Sequence, residues 1–546
     1  MQIKSPTVIN TDILIIGGGI AGLRAAIEAR KQGVDVLLAS RTRAGYSNNS
    51  VISKGGFCAA CPMSNAKDTP EIHFQDTISA GRFINDPKLV EVMVRGIEQQ
   101  IYDLEQFGVK FRKREGRFDT FGPLPGHSFA RMFCVESGNG AGITMPLRHY
   151  AIDIGVQFIE GITITRLLKT DKIVTGAIGV NKTNEVFLFG AGATVLASGG
   201  LGQLFLRTDN APDATGDGYA LAYEAGVPLI DMEFVQYYPT RRVAHNAGPG
   251  VTGALYEGLA LIGGIMKNSL GEDILEKYGI KDPRAMTRDM VSRAIMTEIT
   301  EGRDVNGGVI IDYTAASRDI LLRLGPLFIA EKNREQLIFP VAPAAQYAMG
   351  GIKIDENART NLAGLYAAGE ICGGVHGANR LGGNSLAECL VFGTIAGKNA
   401  ARGAPKYPRP TPSRREISIE RERLNNIMSA TGDEIIAKIL LSLKKTMWHK
   451  AGIIRNKENL QEALLQIRSL RNRAKKISLS DKQNLSQAFT ANNTLITAEI
   501  ICKAALKRTE SRGAHYRTDH AREGDEKWLR HIKTNKTGNK LTLFPE

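Results

Sequence analysis

The first strongly patterned stretch is Asp12-Ile-Leu-Ile-Ile16, short, apolar and rich in β-branched residues, as a strand buried on both faces requires. Gly17-Gly-Gly-Ile-Ala-Gly22 follows, then a helical segment from Leu23 to Gln32 that Gly33 ends. Val34 to Ala39 reads as a second buried strand, which completes a βαβ unit. Two further strands end in glycine: Ala193-Thr-Val-Leu-Ala197 before Ser198-Gly-Gly-Leu-Gly202, and the one within Gly364-Leu-Tyr-Ala-Ala-Gly-Glu370. Asn379-Arg-Leu-Gly-Gly-Asn-Ser-Leu386 then runs into an apolar helix over 387–401. From 414 to 508 the apolar positions recur at helical spacing. The longest charge-free run, Val186 to Leu206, reaches membrane-spanning length, but its five glycines predict strand, turn and helix instead.

Composition narrows this picture. At roughly 150 residues per domain, 546 residues suggest three or four units. Hydrophobic residues at 43% and charged residues at 23% exclude a disordered chain. The 58 glycines exceed the usual share of about 7% and follow no collagen period, so they imply tight turns or close backbone approaches. Six cysteines are too few for a disulfide scaffold, and the first twelve residues show no apolar signal region. The expected setting is cytoplasmic. The net charge of +14 is uneven: residues 401–546 hold 30 Lys and Arg against 15 Asp and Glu, the rest 40 against 41. Such a basic quarter suits an acidic protein partner, an anionic membrane surface or nucleic acid, or is simply a solvated helical face.

In the βαβ unit, Gly17, Gly19 and Gly22 form G-x-G-x-x-G. Gly17 permits the turn, Gly19 lets backbone N–H groups approach a pyrophosphate, and Gly22 lets helix and strand pack closely. The acid expected after the second strand is replaced by Ser40-Arg41, which binds a ribose more weakly. Three nucleotide-type elements so far apart fit one extended cofactor such as FAD. Ala197 and Gly199 would line it, Glu370 would reach its ribityl region, and the helix after Gly383 would point its N-terminus at the flavin.

Seven stretches carry a resemblance. They are DILIIGGGIAGLRAA (12–26), SNNSVISKGG (47–56), ATGDGYALAYEAG (214–226), RDMVSRAI (288–295), APAAQYAMGGI (342–352), GLYAAGEICGGVHGANRLGGNSLAE (364–388) and ESRGAHYRTDH with DEKWLRH (510–531). In this order they resemble the flavoprotein subunits of succinate dehydrogenase and fumarate reductase, with L-aspartate oxidase as a relative. The resemblance implies an α/β, Rossmann-like FAD-binding domain of glutathione-reductase type (1–232 and 346–405). An inserted α+β capping domain (233–345) splits it. A linker (406–413), a helical domain (414–510) and a tail (511–546) follow. The resemblance adds Ser47, Asn49, Gly55, Gly56, Asp217, Asn384, Ser385 and Leu386 to the cofactor site. It also implies an iron–sulfur partner, through which any peripheral contact with a membrane would be made.

By the same resemblance, Arg288 gives or takes the substrate proton, Glu257 follows it in a relay, and Arg380 grips a carboxylate. Six positions, in four regions, depart from the family pattern. Asn49 stands where the flavin-linking histidine falls, so FAD is expected without a covalent bond. Tyr238 and Gln346 replace two carboxylate-binding histidines, and Tyr256 replaces a clamp threonine. Ala260 and Ile262 fall near a relay arginine and an acid. With one end of the clamp turned aromatic and aliphatic, the expected substrate is a larger unsaturated or saturated acid, or its thioester. Ordinary fumarate or succinate chemistry is the alternative, a stand-alone oxidase like L-aspartate oxidase is another, and a nucleic-acid-binding flavoprotein is the non-enzyme one.

Other signals are weaker. Cys58-Ala-Ala-Cys61 is a candidate redox dithiol near the flavin. Cys372 and Cys389 read as core thiols, His376 as a residue bonded to backbone, and the tail 533–546 as loose or folded onto a partner. The histidines show no metal spacing, and the basic quarter lacks a nucleic-acid motif with interleaved aromatics, so no nucleic-acid partner is expected.

Overall fold

The computed structural model describes residues 6–243, 255–262, 264–282, 286–315, 337–406, 414–479, 484–524, 526–538 and 540–546. The side chains at 260–262 and the linker 407–413 lie outside the described residues, so the readings of Ala260, Ile262 and the proline-rich linker find no counterpart here.

The chain opens with β1 (Thr7–Ile16), α1 (Ile20–Arg30) and β2 (Val36–Ser40), the βαβ unit expected from the sequence. They join β3 (Gln157–Glu160), β4 (Thr163–Thr170), β5 (Ile173–Val180) and β6 (Val186–Leu196) in one sheet of order β3-β2-β1-β6-β5-β4. The short strand Leu365–Ala367 pairs in parallel with β6. β1 is parallel to both β2 and β6, so all three glycine turns leave the same sheet edge. That edge is where ligands bind in open α/β sheets. The charge-free run 186–206 is β6 followed by a turn, as its glycines require. Among the described residues no helix is long and apolar enough to cross a membrane.

A second, four-stranded sheet is built from β7 (Val235–Arg242), β8 (Ile265–Lys267), β9 (Val309–Asp312) and β10 (Ile338–Ala348), in the order β7-β10-β9-β8. It carries α2 (Leu255–Ile262) and α3 (Arg288–Thr300) and has its own core of Leu255, Met266, Ile295, Ile311 and Phe339. Its inward helix ends therefore belong to a unit distinct from the large sheet. α4 (Asn384–Gly403) then returns to pack along α1, where Gly393 and Gly397 allow the helix backbones to touch. α5 (Arg414–Met428), α6 (Ile436–Lys450), α7 (Lys457–Ala474) and α8 (Leu485–Lys507) follow, as the helical spacing predicted.

The tail departs from expectation. Ile532–Thr537 and Lys540–Pro545 form a hairpin that pairs with Leu229–Ile230 of the same chain. It is pinned by His531 on Asp231, and by Arg508 on Glu233 (2.6 Å) and Glu510 (2.9 Å). Its polar alternation hid a strand that needs a distant partner to form.

Candidate functional site

A groove of about 960 Å³ crosses the sheet edge between the three glycine turns. Gly17 sits at φ +120°, and a Cβ there would lie 2.1 Å from the Ala197 carbonyl oxygen. A Cβ on Gly22 would lie 1.9 Å from the Gly17 carbonyl, so this glycine is what lets α1 seat against β1. Gly19 caps α1 without a side chain, and no acid follows in the first turn, so the positive helix end is open to an anion. The Ser198 hydroxyl is buried with no partner beside the same groove. Ala197, Gly199, Ser40, Arg41, Asn49, Asp217 and Glu370 all line it. Arg41 is held by Asp217 and by Thr215 (2.8 Å), and the Ser40 hydroxyl donates to the Thr42 carbonyl (2.6 Å). A backbone cradle, an open helix end and a buried hydroxyl fit a dinucleotide's phosphates and ribose.

Three expected cofactor residues lie elsewhere. Ser47 and Gly55 do not line the groove or the pocket beyond it. The Ser47 carbonyl accepts from Thr42, and Gly55 presses against Asn139. Asn384 is buried beneath α4, bonded to His73 (2.9 Å) and Thr77 (3.0 Å), so it props the helix instead. Its neighbours Ser385 and Leu386, with Gly56, do face the pocket.

That pocket, about 1180 Å³, shares Asn49, Ser50, Glu370 and Cys389 with the groove, so the two are continuous. Asn49 donates to Glu370 (3.3 Å) and accepts from the Ala211 N–H (2.8 Å). No histidine is among the described residues lining either space. Burial pushes the Glu370 carboxyl up to about 7, against the pull of the Ala348 N–H and the Asn49 amide.

Over the pocket stand the two arginines. Arg288 is the first residue of α3, where a cation gains nothing from the helix dipole, so its place serves something other than helix stability. Arg380 lies in the buried loop 364–381, its guanidinium over the Tyr347 ring at 4.4 Å. The Tyr347 hydroxyl in turn donates to Glu388 (2.6 Å), which also meets His376 (2.8 Å); His376 thus bonds side chains, not backbone as expected. Both guanidinium groups donate to the Gln346 Oε1, at 3.3 Å from Arg288 and 3.2 Å from Arg380. Burial, and then the neighbouring Arg288 charge, bring Arg380 down to about 10, and its Nε–H is buried without a partner. Two cations on one amide oxygen, one with an unused donor, are arranged to receive an anion.

The opposite end is not the apolar wall expected from Tyr238 and Tyr256. Lys54 reaches it from the S-K-G-G turn. It donates to Glu257 (2.8 Å) and to the Tyr238 hydroxyl (3.2 Å), and Tyr238 donates to the same Glu257 oxygen (2.9 Å). The Tyr256 hydroxyl donates to the Met286 carbonyl (2.9 Å), while its side chain lines an adjoining cavity with Glu257, Arg288 and Arg380. The other Glu257 oxygen lies 3.6 Å from Arg288. Burial alone would raise Glu257, but Lys54 and Arg288 outweigh it and hold the carboxyl down at about 2. Lys54 was missed in the sequence, although it is the one charge in the matched stretch 47–56. Asp209, on Gln346 at 3.2 Å, and Gln236, on Arg288 at 3.1 Å, were missed too. Both are ordinary residues until the fold brings them here.

The two cysteines of the candidate dithiol each have other partners. Cys58 faces the Gly382 carbonyl (3.4 Å) and His127 (3.7 Å), Cys61 faces Glu98 (3.8 Å), and neither is bridged. Burial pushes the Cys58 thiol up to about 12, which disfavours the thiolate that redox exchange needs. No metal-binding cluster occurs among the described residues.

Comparison with known proteins gives the same frame. The FAD binding domain family matches residues 12–386, and the fumarate reductase flavoprotein C-terminal family matches 441–544. One subunit of the fumarate reductase (CoM/CoB) of Methanothermobacter marburgensis is 38% identical over 539 residues, covering 96% of this chain and 97% of that one. The succinate dehydrogenase flavoprotein subunit of Rickettsia conorii is 32% identical, covering 95% and 92%. A solved E. coli quinol fumarate reductase chain superposes with a TM-score of 0.90 at 28% identity, covering 99% and 97%. Fold and site together define an FAD-dependent oxidoreductase acting on CH–CH groups, with the cofactor held non-covalently. The chain belongs to the succinate dehydrogenase and fumarate reductase flavoprotein family.

Proposed function

We propose that the protein is the flavoprotein subunit of an enzyme interconverting fumarate and succinate, working with an iron–sulfur subunit. Bound FAD supplies the two-electron redox step. This chain's residues hold the acid and manage its proton. Arg380, with its free Nε–H, grips one carboxylate, and Arg288 lies beside it with Gln346 between. Fixed positive charge there draws electron density from the adjacent C=C bond into the carboxylate as it develops. Arg288 has Glu257 behind it and hands a proton to the neighbouring carbon, or takes one in the reverse direction. The Arg288 and Glu257 side chains are 11% and 8% accessible, so little water reaches this exchange.

The observation that carries this reading is the meeting of Arg288, Arg380 and Glu257 in one pocket continuous with the FAD groove. The case for a larger acid or thioester rested on an aromatic and aliphatic far wall. Lys54 restores a cation to that end, and neither curated relative points to a larger substrate. The test is anaerobic: reduce the FAD-loaded protein, add fumarate, and follow the flavin absorbance. Rapid return of the oxidised spectrum is expected. Return with crotonate or cinnamate but not with fumarate would overturn the dicarboxylate assignment.

The relative from Methanothermobacter marburgensis is one subunit of a complex, and the partner proposed here follows that pattern. A soluble or peripheral placement is proposed with it, any membrane contact coming through the partner.

A further inference from the structure

We propose that Lys54 is the solvent-side end of the path that reprotonates Arg288, acting through Glu257 and not on the substrate. This rests on the reading above, in which Arg288 faces the reacting carbon.

The geometry is that of a bridge. One oxygen of Glu257 accepts from Lys54 at 2.8 Å, and the other lies 3.6 Å from Arg288. A carboxylate contacted on both oxygens can take a proton on one and release one from the other. The Tyr238 hydroxyl, 3.2 Å from Lys54 and 2.9 Å from Glu257, adds a parallel link. Exposure is concentrated at one end of the path: the Lys54 side chain is 41% accessible, those of Glu257 and Arg288 only 8% and 11%. Arg288 therefore has little direct access to water, while Lys54 has ample access.

The chemistry also has the right direction. In the reduction of one C=C bond, bound FAD would supply the electron pair and proton that one carbon gains. The second carbon takes a proton from an Arg288 N–H bond, which breaks as the new C–H bond forms. Arg288 is left neutral and must regain that proton. An alkylammonium is a stronger acid than a guanidinium by about two pKa units or more, so the proton moves downhill from a lysine to a neutral arginine. The resulting neutral amine recovers its proton from water. Each turnover thus carries one proton from solvent to carbon, and nothing in the relay is oxidised or reduced. Among the described residues, the titratable groups facing Lys54 are Glu257 on α2, Tyr238 on β7 and Cys134 on the strand Met132–Cys134.

The test compares the FAD-loaded wild type with Lys54→Arg and Lys54→Ala. Each is reduced anaerobically and mixed with fumarate in H2O and in D2O, and malonate affinity is measured separately by calorimetry. Lys54→Arg keeps the charge but is a poorer acid. It should bind malonate within about threefold of wild type and reoxidise about tenfold more slowly, with a larger solvent isotope effect. Lys54→Ala should fall by about 100-fold, and small primary amines should restore its rate according to their acidity. Reoxidation of Lys54→Ala at the wild-type rate overturns the relay alone. So does a defect matched by lost malonate affinity and untouched by amines, because Lys54 is then a carboxylate clamp. A wild type that fumarate never reoxidises removes the substrate assignment and the relay with it.

Discussion

Single side chains in this pocket carry charge where water is scarce, and that sets their response to pH. Glu370 is the clearest case. Its carboxyl is raised from 4.5 to about 7 by burial, so the folded protein binds its proton more tightly than the unfolded chain does. Folded stability from this group is therefore greatest below about pH 4.5 and falls as pH rises toward 7. The loss is at most roughly 3 kcal/mol. Glu370→Gln in the flavin-free protein should remove this slope, so denaturation midpoints of variant and wild type should converge in mild acid and separate by pH 7. An unchanged difference across that range would mean the carboxyl is already charged in the fold. Glu257 behaves oppositely: held at about 2 by Lys54 and Arg288, it stays a carboxylate through any ordinary assay, so it does not set an acid limb near neutrality.

At the scale of elements, the glycine turn of the βαβ unit has the least freedom. A methyl group at Gly22 would fall 1.9 Å from a backbone oxygen, which no rotamer can relieve. Gly22→Ala should push α1 off β1 and widen the pyrophosphate turn, so purified variant should carry well under about a tenth of the wild-type flavin per chain. Near-normal flavin content would show that α1 can shift as a body. This unit was legible in the sequence because its chemistry is local: two apolar runs, three glycines and a helix follow one another directly along the chain. The same holds for Arg288 and Arg380, whose neighbours in the chain form recognisable stretches. What escaped was set by distant chain segments. Lys54 gains its meaning only when α2 and β7 close over it, Asn384 only when His73 meets it, and the tail hairpin only when Leu229–Ile230 supplies a strand. The far wall read as apolar because the replaced positions were weighed without the lysine that the fold adds to them.

For the molecule as a whole, charge is partitioned. The first 400 residues are balanced, whereas residues 401–546 carry an excess of fifteen positive charges. Much of that excess is not consumed internally. Arg414, Arg415, Arg421, Lys445, Arg468 and Lys476 are exposed on the helical region, beside ion pairs such as Arg473 with Glu434. Exposed like charges repel one another and add little to the fold, so this surface is better explained by what it attracts. If it docks the proposed iron–sulfur subunit, association should be steered by long-range field and weaken as the Debye length shrinks from about 14 Å to about 4 Å, between roughly 50 and 500 mM salt. The complex should form more slowly in high salt, with its dissociation rate changed much less. Replacing Arg468 and Lys476 by glutamine should flatten that salt dependence while leaving the flavin spectrum unchanged, because both lie on exposed positions of the helical region and neither lines the groove or the pocket. A salt-independent association rate would place the docking surface on the neutral part of the chain and leave the basic quarter as solvated helix.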